Sequence, residues 1–263
     1  GGGMDAVFSE FSLDSDTVVT IPKARAFTTH TQLGFDPEQA ARMGVAEETV
    51  QFYRQGQAFI NGLGVQATNT CTPYLVGNLP VRGEHCAWME SSAVIYCNSV
   101  LGARTNFEGG KSSFAAALTG RTPAYGFHLD EKRRGTFLVD LQADMRDLAD
   151  WGALGKIVGH PHQDYFAVPV FDGVKDMPLS DAVKHLGASL ASYGSMAMFH
   201  MVGVTPEAPT LKAAFGGRKP KEVMTVSNRD LEKVYASYDT QGNPLNLVVF
   251  SGPQQSLFEM KTS

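Results

Sequence analysis

No apolar run in the 263-residue chain approaches the roughly 20 residues that a membrane span requires, and the N-terminus lacks the basic-then-apolar layout of a secretory signal. The expectation is a soluble cytoplasmic protein. A basic block is also missing: 22 Lys and Arg stand against 27 Asp and Glu, a formal charge of −5, so the electrostatic footprint of a nucleic-acid binder is absent. Neither nucleic acid nor a membrane is expected as a partner. Cysteine is scarce. Three are an odd number and too few for a disulfide framework in a chain this long, which leaves reduced thiols open to ligand or reactive roles. Fixed-period repeats, low-complexity tracts and obvious linkers are missing as well. Gly1-Gly2-Gly3 ahead of Met4 reads as an appended leader and is set aside.

What is present can bury a sizeable core, as one large or two modest domains. Residues 17–21 read as a short strand closed by Pro22. Val50, Phe52, Tyr53, Phe59, Ile60 and Leu63 recur at helical intervals over 47–63, with Gly62 and Gly64 at the end. From Gly135 onward apolar strands at 137–141, 165–171, 196–204, 222–226 and 245–250 alternate with helices at 145–158, 180–193, 209–215 and 228–238. Pro169 marks the second of these as an edge strand, and Ser180 reads as the start of its helix. Apolar strands separated by amphipathic helices argue a layered α/β/α fold with a largely parallel sheet. Ligands in such sheets sit at the carboxyl ends of the strands. Two stretches are expected, a motif-bearing region over 4–134 and a βα-repeat region over 135–263 of the same catalytic unit.

The motif-bearing region is dominated by residues 70–110, which hold all three cysteines among glycines and uncharged polar groups. That is poor material for a plain core segment. Cys71 precedes Pro73, which puts its thiol at a strand end or in a loop, where a thiolate could bind iron or zinc or simply be buried. If a helix over 88–101 extends back to Cys86, then Cys86 and Cys97 lie on one face about 16 Å apart at 1.5 Å per residue. That spacing suits packing, not chelation of one centre. Glu90 heads an apolar stripe with Ala93, Val94 and Cys97. Partial burial would raise its pKa toward the range of a proton carrier, while a helix-start position or a salt bridge to Arg104 explains it as well. Small neighbours leave the Arg104 guanidinium approachable for a bidentate clamp on a carboxylate or phosphate.

Four histidines are weaker signals. His160-Pro161-His162 with Asp164 looks like a metal cluster, but no third or fourth ligand follows at a recognisable spacing and a polar loop accounts for it better. His128 sits beside Asp130 and Glu131, either oriented or merely paired by them. His200 within an apolar strand reads as a satisfied core histidine.

The runs TCTPYLVGNLP, GEHCAWMESSAVIYCNSVLGARTNFEGG, ALTGRTPAYGFHL and LGASLASYGSMAMFHMVGVTPEA, spread over 71–208, resemble the catalytic part of aconitase X. The resemblance implies an aconitase-like fold and an iron–sulfur dehydratase, acting on cis-3-hydroxy-L-proline or, in a two-subunit type, on mevalonate 5-phosphate. It implies that Cys71 is the first cluster cysteine and that Asn98, Ser99, Arg104 and Asn106 hold the substrate's acidic group. Glu90, Ser91 and His128 are then the candidate catalytic residues. The family pattern of Gly-Cys-Pro-His is replaced here by Ser251-Gly252-Pro253-Gln254, with glycine at the expected cluster cysteine, and further sequence at both ends of the family pattern is missing. One thiolate cannot hold a multi-cysteine cluster. His160, His162, a partner chain or a missing domain would have to complete the site, or no ordinary cluster forms.

The reading that follows is a hydro-lyase for a small hydroxy acid, with cis-3-hydroxy-L-proline preferred because no phosphate-binding glycine loop stands out. The alternatives are mevalonate 5-phosphate as substrate, a noncatalytic binding or subunit-interaction protein with the same fold, and, last, a zinc hydrolase built on His160, His162 and Asp164.

Overall fold

The computed structural model describes residues 21–31, 34–238, 242, 244, 246–250 and 252–262. In chain order the elements are helices α1 (Glu47–Gly62), α2 (Ser91–Tyr96) and α3 (Gly110–Thr119), strand β1 (Phe137–Leu141), helix α4 (Leu148–His162) and strand β2 (Pro169–Asp172). There follow α5 (Ser180–Gly194), β3 (His200–Met201), α6 (Leu211–Ala214), β4 (Val223–Val226), α7 (Asn228–Ala236) and α8 (Glu259–Thr262). The chain forms two compact units. One comprises the described residues up to Asn78 together with Glu108–Thr122, and the other comprises Leu79–Phe107 and the described residues from Pro123 onward.

In the first unit α1 starts with Glu47 and Glu48, whose charges suit the helix N-terminus. The backbone N–H of Ala24 donates to Leu63 O at 2.8 Å, and that of Arg25 to Ala117 O at 2.8 Å, which ties the leading segment to the ends of α1 and α3. Thr29 and Gln66 form a parallel bridge, after which Cys71 is buried at a bend before the short turn Pro73–Val76. The thiol thus sits in a loop, as Pro73 predicts. Of the expected strand at 17–21, residues 17–20 lie outside the described residues, and Ile21 belongs to no strand.

The second unit is built on a four-stranded parallel sheet in the order β3-β2-β1-β4. Phe137 pairs with Pro169, Leu138 with Val223, and Val170 with His200. The strands are parallel because each is followed by a helix that returns the chain to the same end. The expected α/β architecture is what the structure shows. α4 begins at Asp147, whose carboxylate accepts the Ala149 and Asp150 N–H groups. Helices α4 and α5 pack backbone to backbone through glycines. A Cβ on Gly159 would stand 2.9 Å from Gly194 N, and one on Gly155 would stand 2.4 Å from Ser189 Cβ. Gly187 meets Ile95 of α2 in the same way, at 3.0 Å.

Several expectations are corrected. Pro169 lies in an internal strand, not an edge; it is the first residue of β2, where the missing N–H is least disruptive. Residues 165–168 are not strand, because Asp164 Oδ1 takes the Phe166 N–H and Thr136 Oγ1 takes the Val168 N–H. The expected strand at 196–204 shrinks to His200–Met201, since Asn98 and Ser99 bond the backbone of Ala197 and Phe199 in place of a neighbouring strand. Residues 246–250 form no strand, and Leu247 to Phe250 are more than half exposed. Ser180 does start α5, as expected, as its first helical residue after the N-cap Leu179. His160 and His162 close α4 instead of forming a loop; His162 stacks on Phe137 with ring centroids 4.0 Å apart.

The helix contacts give a paired expectation. Gly159→Ala should lower the unfolding free energy by about 1–3 kcal/mol through overpacking, measured by urea denaturation. Gly152 in the same helix has open space where its Cβ would be. Gly152→Ala should raise stability by up to about 1 kcal/mol from helix propensity.

Candidate active site

The polar run begins with a short helix and a reversal. Glu90 is the N-cap of α2, and its Oε1 accepts long bonds from Ser91 Oγ and Ser92 Oγ, each 3.5 Å. Glu90 occupies the helix-start position, and the salt bridge to Arg104 is not formed, since Arg104 pairs with Asp130. Beyond Tyr96 the helix widens into a π turn at Cys97–Leu101, which Gly102 ends with φ at 67°. A Cβ on Gly102 would come within 2.9 Å of Pro206 Cγ, so glycine is required for both reasons. After the turn the chain runs back beside residues 84–86: Arg104 N donates to Glu84 O and Cys86 N to Arg104 O, both at 2.8 Å. A helix extending back to Cys86 is therefore excluded. The two cysteines expected 16 Å apart are neighbours: the Cys86 thiol, which donates to Glu84 O at 3.9 Å, lies close enough to Cys97 to push its pKa up.

The carboxamides in this run hold the chain to itself. Asn98 is fully buried; its Nδ2 donates to Thr105 O and Ala197 O at 2.9 Å, and its Oδ1 accepts from Thr105 N and Arg133 Nη1. Ser99 Oγ accepts the Phe199 N–H at 2.9 Å. Asn106 donates to Tyr125 O and accepts from Phe127 N and Tyr165 Oη. Each group fixes a loop that carries another candidate residue.

Arg104 is the candidate that reaches open space. Its Nη1 donates to the carbonyl of His128 at 2.8 Å and its Nη2 to Asp130 Oδ1 at 2.5 Å. The Asp130 carboxylate is held below its usual range by that bond and charge. His128 is buried on the turn Gly126–His128, and its Nδ1 lies 2.8 Å from Nδ1 of the exposed His85, the two rings stacked at 5.1 Å. One nitrogen of that contact must donate and the other accept, so at least one ring keeps a bare Nδ1. Sequence reasoning missed His85 because it carries no motif spacing; only the fold brings it to His128.

Beside Arg104 opens a cavity of about 270 Å³. Its walls include the guanidinium groups of Arg82, Arg104, Arg133 and Arg134 against the carboxylates of Asp130 and Glu207, an excess of two positive charges. Arg133 is 2% exposed and bonds Glu207 through Nε and Nη2. Among the described residues Arg82 and Arg134 form no ion pair. His200, also lining the cavity, donates from Nε2 to Arg133 O at 2.7 Å, while its Nδ1 has no partner. The expectation of a satisfied core histidine is half met. Burial pushes the His200 pKa down, against the pull of the Arg133 carbonyl and Glu207, so the ring is neutral.

Cys71 belongs to the first unit, and the other candidate residues belong to the second. Among the described residues no group of three His, Cys, Asp or Glu side chains is placed to hold a metal ion. Gly252 supplies no thiolate, and Cys86 and Cys97 are free thiols that neighbour each other within the second unit. The described residues do not fit a multi-cysteine cluster.

Residues 8–131 match the model for the first domain of aconitase X, and residues 135–236 match that for its second domain. The phosphomevalonate dehydratase large subunit of Thermococcus kodakarensis is 38% identical over 94% of this chain and 59% of its own length. The cis-3-hydroxy-L-proline dehydratase of Pseudomonas aeruginosa is 39% identical over 75% of this chain and 34% of its own length. The crystal structure of Thermococcus kodakaraensis aconitase X in its holo-form superposes with a TM-score of 0.67, at 41% identity, over 82% of this chain and 52% of that one. The chain spans a third to three-fifths of the length of these relatives.

Glu207→Gln should cost about 3 kcal/mol of stability, because it leaves a buried guanidinium without its counter-charge; chemical denaturation measures it. His200 contributes a second signal. Its folded pKa lies below the unfolded value of about 6.5, so its stabilising contribution is complete above that value and is lost as pH falls toward the folded pKa. His200→Gln should flatten that part of a stability–pH profile.

Proposed function

The chain belongs to the aconitase X family, and from that premise we propose that it acts in removing water from a small hydroxy acid. The observation that carries this reading is the cationic cavity beside Arg104, whose guanidinium also bonds the backbone of His128. Dehydration of a hydroxy acid needs an anchor for the acid, a group that takes a proton from carbon, and help for the departing hydroxyl. Arginine forks at the cavity supply the anchor. The His128–His85 pair supplies a proton acceptor, since a proton accepted in the buried ring can pass across the 2.8 Å contact to an exposed one. Glu90 with Ser91 is the other candidate for proton handling. Asn98 and Asn106 act by holding the segments that carry Arg104 and His128 in place, and Ser99 by holding the segment ahead of His200.

The substrate favoured is mevalonate 5-phosphate. Lack of a glycine-rich phosphate loop argues for hydroxyproline, but guanidinium groups bind phosphate without such a loop, and an excess of two positive charges suits a phosphate dianion better than one carboxylate. The phosphomevalonate dehydratase large subunits of Thermococcus kodakarensis and Methanothermobacter thermautotrophicus are also matched over 59% and 55% of their length. The second reading, cis-3-hydroxy-L-proline, is supported by the 39% identity to the Pseudomonas aeruginosa enzyme. Relatives described as large subunits support a second chain in the working enzyme, and further ligands for any cluster beyond Cys71 would come from outside the described residues.

Calorimetry should show mevalonate 5-phosphate binding to the chain, with inorganic phosphate as a competitor, and at least about tenfold weaker binding in Arg82→Ala and Arg104→Lys. Binding of cis-3-hydroxy-L-proline alone would reverse the substrate order. Binding of neither would favour the noncatalytic alternative.

A further inference from the structure

The two cysteines of the second unit are brought together by backbone pairing. Cys86 lies on the segment 84–86, which bonds residue 104 on both sides, through Arg104 N to Glu84 O and Cys86 N to Arg104 O. The partner segment leaves the π turn directly, and Ala103 N donates to Cys97 O at 3.1 Å. These bonds put residue 86 beside the segment that leaves the π turn, and the Cys86 thiol, which donates to Glu84 O at 3.9 Å, is near enough to Cys97 to act on its pKa. Their surroundings differ. Cys86 is half-buried and within reach of a small solute, whereas Cys97 is fully buried. Burial, with the Cys86 contact adding to it, pushes the Cys97 thiol well up, so Cys86 is the more readily oxidised of the two.

We propose that Cys86 and Cys97 form a reversible intrachain disulfide when the protein meets a peroxide. In the first step the Cys86 thiolate attacks one oxygen of hydrogen peroxide, the O–O bond breaks, hydroxide leaves, and Cys86 becomes a sulfenic acid. The hydroxide takes up a proton. In the second step Cys97 gives up its proton and its sulfur attacks the sulfenic sulfur; the S–S bond forms, the S–O bond breaks, and water leaves. Together the thiols lose two hydrogens and two electrons, and the peroxide becomes two waters. A dithiol reductant returns both thiols. Because the backbone pairing already makes the two cysteines neighbours, closure needs no unfolding. The bridge would tether the segment carrying His85 to the π turn and hold His85 on His128.

The test treats the full chain with hydrogen peroxide, denatures it and counts thiols. Reactive thiols should fall from three to one, with a mass loss of about 2 Da and one cross-linked peptide joining Cys86 to Cys97, all reversed by dithiothreitol. Cys71→Ser should still lose two thiols. Cys97→Ala should instead gain about one oxygen on Cys86. Retention of all three thiols, irreversible oxidation of Cys86 without a bridge, or a cross-link that includes Cys71 would overturn the assignment.

Discussion

A single buried cation holds the second unit's polar region together. All five N–H donors of the Arg133 guanidinium are engaged: Nε with Glu207, Nη1 with Asn98 Oδ1 and the Phe127 carbonyl, Nη2 with the Asn98 carbonyl and Glu207. Its own carbonyl receives His200. A charge at 2% exposure is tolerable only with this degree of compensation, because desolvation costs several kcal/mol per ion before any bond is counted. Three stretches of chain far apart in sequence, around residues 98, 127–133 and 200–207, therefore have one mutual arrangement that satisfies the guanidinium.

That arrangement divides the polar side chains into two groups. Asn98, Ser99 and Asn106 bond backbone groups that would otherwise be orphaned where β3 is short and where the 126–128 turn reverses. Arg82, Arg104 and Arg134 stand at the wall of the open cavity, and His128 meets His85 behind Arg104. The first group fixes the frame, and the second is where the proposed chemistry would take place. A substrate anion entering the cavity would meet the Arg104 guanidinium already oriented by the His128 carbonyl and Asp130, which lowers the cost of ordering it on binding.

How far the sequence discloses this varies with the physics involved. The βα alternation after Gly135 is legible because apolar strand and amphipathic helix have different periods, and α1, β1, β4 and α5 fall close to where those periods place them. Side-chain-to-backbone bonds are not legible in a period, and they are what shortens β3 and delays β2. Arg104 is identifiable from its small neighbours. Arg133, by contrast, sits in Glu131-Lys132-Arg133-Arg134, a run that reads as solvated surface, and nothing local marks it as buried. The Cys86–Cys97 contact is hidden for a related reason: the π turn and Gly102 reverse the chain where a continuous helix would have kept the thiols apart.

The dependence of the site on Arg133 is tested most directly by amide hydrogen exchange of the Arg133→Lys protein against the natural one. A lysine keeps the charge but offers three donors from a point, not five from a planar fork. Protection should fall at Thr105, Phe127 and Phe199, whose N–H groups meet the framework side chains, while β1 and α4 keep theirs. Unchanged protection at those three amides would contradict the account, as would a uniform loss across the sheet.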